Sequence, residues 1–205
     1  MTKLRSRWTL LVAGCLIAGI AAGVMLSLAL RPRAATPFQL PSQTPVYGTL
    51  LARQAAPPFT LTDQDGRSVS LAAQKGHLVL LAFMDPRCVN LCPILGRDIA
   101  ALEQQLPASV HPDLLIVSVQ PGRTPGDVAH FVATNLSTKW LPGWHWLIGP
   151  DDAALKLTLL AWNVPITPPQ DDLLAVIDPE GFLRVEYPAP VPIDDAKQSI
   201  MRVDH

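Results

Sequence analysis

LAFMDPRCVNLCPILGRDI, residues 81–99, is the stretch on which the reading of this chain turns. It begins as the end of HLVLLAF, a near-continuous apolar run of strand length, the pattern of a central strand covered on both faces. The run breaks at Asp85-Pro86 and presents Cys88 and Cys92 with three residues between them. Helical spacing then resumes: Pro93 suits a first turn, and Ile94, Leu95, Ile99, Leu102 and Leu106 form an apolar stripe. Two of the three cysteines in the chain therefore sit where a buried strand hands over to a helix.

Outward from this point the elements alternate. Phe59–Leu61 and Ser68–Leu71 flank TDQDGR and predict a short strand pair around an Asp-Gly turn. Leu114–Val119 reads as a second buried strand. Thr124 is a candidate N-cap for a helix running through Asn135. His145–Ile148 predicts a short strand, Asp151–Trp162 an amphipathic helix with an acidic start, and 173–177 with 182–187 a hairpin around DPEG. A last helix covers about 194–203. Strand, helix, strand, helix, strand, strand, helix is an α/β order of the thioredoxin type: a central mixed sheet flanked by helices.

The N-terminal segment sets the expected compartment. From Trp8 to Leu30 no residue is charged, and as a helix this stretch would span roughly 34 Å at about 1.5 Å per residue, enough for a bilayer core. Secretory signals have shorter apolar regions, so a retained single-pass anchor is the reading adopted. Cys15 closes LVAGC, which has the form of a lipoprotein processing site, and lipidation there is the alternative; the apolar run, however, continues from Leu16 to Leu30. Residues 1–7 would be cytoplasmic, 8–30 the anchor, 31–56 a Pro-rich tether and 57–205 a globular domain facing the periplasmic or outer side of a bacterial inner membrane. A net charge of −1, a pI near 6.5 and the lack of a basic run in the later chain argue against a nucleic-acid partner.

At the carboxyl end of a central strand, where α/β sheets build their sites, the amides of a helix start favour a thiolate. The thiolate is both the nucleophile of disulfide exchange and a soft ligand that selects Cu(I) or Zn(II). Cys88 and Cys92, about one helical turn apart, are thus candidate catalytic and metal-binding residues; a structural disulfide in an oxidising compartment is the bland alternative. The sequence speaks against a peroxiredoxin site, because Val89 stands where its threonine would precede Cys92. No phosphate-cradling Gly-rich loop and no Ser/His/Asp constellation can be read.

From about Pro57 to Tyr187 the chain resembles the Sco/SenC family of thioredoxin-fold proteins that help assemble the copper centre of cytochrome c oxidase. The resemblance is carried by PPFTLTDQDGRSVSLAAQKGHLVLLAF, CVNLCP, LLIVSVQPGRTPGDVAHF, WHWLIGP and LLAVIDPEGFLRVEY. It implies that Cys88 and Cys92 are the copper and redox cysteines, with Cu(I) favoured and a cysteine-containing respiratory oxidase subunit or redox protein as partner. The histidine that the family places before the strand ending in Ile-Asp-Pro falls here at Gln170 or a near neighbour, so the third ligand is unassigned. Gln120 stands in place of a family aspartate, and CVNLC lacks the usual aspartate between the cysteines. His77, His111, His130, His145 and His205 read as surface, packed or terminal residues, Met84 as core, and Asp85 as close to the cysteines in sequence. The function stays open between a thiol–disulfide oxidoreductase, with weight shifted toward it by the missing histidine, and a non-enzymatic copper chaperone. A binding module stapled by a Cys88–Cys92 disulfide remains the other class.

Overall fold

A computed structural model describes residues 51, 53–136, 143–149, 151–165 and 172–203. In chain order its elements are β1 (Gln54–Ala55), β2 (Thr60–Thr62), β3 (Ser68–Ser70), β4 (Val79–Met84), α1 (Leu91–Gln105), β5 (Asp113–Ser118), α2 (Pro125–Asn135), β6 (His145–Leu147), α3 (Asp152–Ala161), β7 (Leu173–Ile177), β8 (Phe182–Pro188) and α4 (Ile193–Val203). The main sheet has the order β1-β8-β7-β4-β5-β6, with β4, β5 and β6 parallel and β7 and β8 antiparallel. β2 and β3 form the expected hairpin beside it. This is the mixed, thioredoxin-like α/β architecture read from the order of apolar runs.

β4 is buried along its whole length because both faces are covered. Leu80, Ala82 and Met84 point into a core closed by Leu95, Ile99 and Leu102 of α1, Phe131 of α2 and Ile200 of α4. Val79, Leu81 and Phe83 point the other way, onto Leu61, Val69, Leu155 and Leu159. At about 25 cal/mol per Å² of apolar surface removed from water, these two layers supply the main favourable term of folding. Gly96 lets α1 close onto the end of α2, since a Cβ there would come within 2.8 Å of Leu136 Cδ2.

Two boundaries differ from the sequence reading. α1 begins at Leu91, not Pro93, which places Cys92 inside its first turn; Pro93 fits at the third helical position because amides of the first turn have no intrahelical partner to lose. Upstream of Pro57, Gln54 and Ala55 pair with Leu183 and Phe182, and Leu51 N–H donates to Arg184 C=O at 2.6 Å. A strand of only two exposed residues carries no periodicity to read, and its pairing is set by the edge of β8. Among the described residues no helix is long and apolar enough to cross a membrane. The expected anchor at 8–30, with Cys15, lies outside them, as do Gln170 and His205.

Candidate dithiol site

The turn after β4 is organised by Asp85. Its C=O accepts from Cys88 N–H at 3.0 Å, and its carboxylate Oδ1 accepts from Arg87 N–H at 2.9 Å, a side-chain turn that Asp favours at strand ends. Its own N–H donates to Cys92 Sγ at 3.4 Å. Cys92 N–H, at the start of α1, donates to Cys88 Sγ at 3.4 Å. Both cysteines are free thiols, Cys88 half-buried on the loop and Cys92 fully buried.

The third group arrives from the antiparallel neighbour. Phe83 pairs with Leu173, so the residue before β7 lies level with the end of β4. That residue is Asp172, buried, and Cys92 Sγ–H donates to its Oδ1 at 3.2 Å. One ligand atom each from Cys88, Cys92 and Asp172 lie within 4.8 Å of one another. Burial, then the Cys88 sulfur, then the Asp172 charge push the Cys92 thiol far above its ordinary range, outweighing the Asp85 N–H that pulls it down. The Cys92 thiol is therefore harder to ionise than an ordinary thiol, and Cys88 is the more accessible of the pair.

The parallel neighbour fixes the other side of the loop. Met84 pairs with Ser118, and Val119 N–H donates to Met84 C=O at 3.1 Å, so the segment entering α2 runs beside the cysteine loop. Arg123 holds Asp85 by two bonds of 2.7 Å, with both side chains largely buried. Arg87 holds Asp127 by bonds of 2.8 and 3.0 Å. Asp127 also completes the capping box of α2 with Thr124, the N-cap read from the sequence. Two planar guanidinium-carboxylate forks thus tie the Cys88 loop to one helix start.

Of the residues weighed from sequence, Cys88 and Cys92 come together, and the described histidines, His77, His111, His130 and His145, are no part of the donor cluster. His77 pairs with Asp113 at 3.0 Å at the exposed end of the sheet, and His111 and His130 are exposed. His145 Nδ1 lies 2.8 Å from Asp63 Oδ2, the packed, hydrogen-bonded imidazole expected between Trp144 and Trp146. Met84 is fully buried core. Gln120 is partly buried in the segment that leads to Arg123. Asp172 and Arg123 were not singled out from the sequence. The one available signal for Asp172 was an acidic pair opening a buried strand, next to the position where the resemblance places a histidine.

A half-exposed thiol above a buried one, at the start of a helix packed on a central mixed sheet, defines a dithiol protein of thioredoxin-like fold. A profile of the SCO1/SenC family matches residues 48–174, and the chain belongs to that family. A Stutzerimonas stutzeri protein named "Putative copper-binding protein" is 28% identical over 166 residues, covering 75% of this chain and 79% of its own length. BsSco, described as a member of the Sco family of cytochrome c oxidase assembly proteins with a disulfide switch, superposes with a TM-score of 0.62 at 22% identity, covering 76% of this chain and 97% of its own. Bradyrhizobium japonicum ScoI with copper bound gives a TM-score of 0.57 at 22% identity, over 73% and 99%. At these identities the two structures bear on the fold alone.

Proposed function

We propose that this SCO1/SenC-family chain is a thiol–disulfide exchange protein acting on the cysteines of a respiratory oxidase subunit during its assembly, tethered to the outer face of a bacterial inner membrane by residues 8–30. The observation that carries the exchange reading is the asymmetry of the pair: Cys88 is half-buried on the loop, whereas Cys92 is fully buried, which pushes its thiol up. The Cys88 thiolate attacks one sulfur of a partner disulfide, forming a mixed disulfide and releasing a partner thiolate. Cys92 then displaces the second partner sulfur and closes the Cys88–Cys92 bond. Its proton is already hydrogen-bonded to Asp172 Oδ1 and leaves along that contact. Two electrons and two protons pass to the partner, which becomes a dithiol.

A second reading, carriage of copper to the same partner, is favoured by the three-donor cluster of Cys88, Cys92 and Asp172. Two adjacent thiols fit a soft copper ion as cargo. The family membership and the name of the Stutzerimonas stutzeri relative support it. The test is a paired measurement on the reduced full chain in mild detergent: the reduction potential against glutathione, and Cu(I) stoichiometry against a competing chelator, each with the Cys88→Ser/Cys92→Ser variant. A reversible potential lost in the variant supports exchange, and one-to-one Cu(I) binding lost in the variant supports carriage. A disulfide that resists mild reductants would reduce the pair to a structural staple.

A further inference from the structure

We propose that Asp172 is the third donor of a site made of two thiolates and one carboxylate, and that its charge tilts the site toward divalent ions relative to the same thiolates with a neutral third group. This rests on the copper-carriage reading of the dithiol and goes beyond it by assigning ion selectivity to a residue of this chain.

The first support is placement. Asp172 is held at the mouth of β7 by the β4–β7 register, with Oδ1 3.2 Å from Cys92 Sγ and the three donor atoms within 4.8 Å of one another. Bonds of about 2.3 Å to sulfur and about 2.0 Å to oxygen around a tetrahedral Zn(II) put two sulfurs ~3.8 Å apart and a sulfur and an oxygen ~3.5 Å apart. From separations within 4.8 Å the donors reach that arrangement by closing no more than about 1.3 Å, a change within the range of side-chain rotation.

The second support is charge. Cys92 and Asp172 are both buried, and an uncompensated charge in such a place is costly. With both thiols ionised the three donors are all negative. A divalent ion is attracted to each of those charges about twice as strongly as a monovalent ion at the same distance. A neutral third donor removes one negative charge from each case and so takes more attraction from the divalent complex. Donor chemistry runs in the same direction, because carboxylate oxygen suits Zn(II) and harder ions, whereas soft Cu(I) draws on sulfur. Zn(II) is the redox-silent probe of this preference, since Cu(II) oxidises free thiols.

The experiment measures Zn(II) and Cu(I) affinities separately, by chelator competition, on the reduced full chain in detergent. Wild type is compared with Asp172→Asn, Asp172→His and Cys88→Ser/Cys92→Ser, with folding checked by circular dichroism. Co(II) charge-transfer bands report whether thiolates ligate. Zn(II) affinity is expected to fall by at least about tenfold in Asp172→Asn, the lower end of the cost of removing a supporting group at a metal, and the ratio of Zn(II) to Cu(I) affinity to fall with it. The ratio should fall in Asp172→His as well, where a third donor remains but the charge does not. A ratio unchanged within about threefold in both variants overturns the inference, as does a wild type that binds Cu(I) but no Zn(II). Loss of Cu(I) binding in the double cysteine variant with an unchanged ratio in the Asp172 variants would remove the selectivity role alone. Cu(I) binding that survives the double cysteine variant would remove the carriage reading itself.

Discussion

The Cys92 thiol donates to Asp172 Oδ1 at 3.2 Å across 80 positions of sequence, and both groups are buried. Burial first, with the Cys88 sulfur and the Asp172 charge adding to it, pushes the Cys92 thiol up, which separates two cysteines that look alike in the sequence, since Cys88 is only half-buried.

The first consequence is a difference in reactivity. At pH 7, iodoacetamide should modify Cys88 at least about tenfold faster than Cys92 in the folded, reduced protein, because alkylation needs an accessible thiolate. Peptide mapping by mass spectrometry reads the two sites in one sample. Faster labelling of Cys92 would reverse the assignment of Cys88 as the attacking residue.

Arg123→Met should lower stability by about 2 kcal/mol, the scale of charged hydrogen bonds lost from a partly buried carboxylate, because it leaves Asp85 without its fork. Arg123→Lys should recover part of that loss. Arg87→Ala removes the more exposed fork and should cost less. Urea unfolding ranks the three variants, and a larger loss for Arg87→Ala would contradict the order.

Acid should weaken the same region. Hydrogen bonds from Arg87, then from Thr124, hold the Asp127 carboxyl well below the usual carboxylate range. A group with a depressed folded-state pKa contributes stability that is fully present above its unfolded value, about 3.9, and is lost as the pH falls toward the folded value. Unfolding free energy should therefore drop from about pH 4 downward, and Asp127→Asn should flatten that drop. An identical acid limb in the variant would rule out Asp127 as a contributor.

Asp63 gives a control remote from the thiols. Its buried carboxylate accepts from Asp65 N–H and Arg67 N–H and meets His145. Asp63→Ala should cost about 2–4 kcal/mol by stripping several hydrogen bonds at once, yet leave the Cys88 alkylation rate of the folded protein unchanged. A slowed Cys88 would show that the β2–β3 hairpin couples to the site.

Much of this is legible in the sequence. The unbroken apolar run of β4 identified the central strand, Thr124 marked the start of α2, and DPEG marked the last hairpin, because burial on two faces, capping and turns each leave a local pattern. The two-residue strand β1 left none. His145 was legible as packed, but its partner Asp63 was not, since an ion pair between distant segments has no period in sequence.

The sequence by itself determined the α/β order and the location of both cysteines at the junction of a buried strand and a helix, since these follow from short-range spacing and apolar patterning. Only the tertiary structure decided what surrounds the sulfurs. The antiparallel register of β4 with β7 delivers Asp172 to Cys92, and the parallel register with β5 delivers Arg123 to Asp85. Strand pairing joins residues far apart in the chain, and the charge and proton of a buried thiol depend on neighbours that only this pairing supplies.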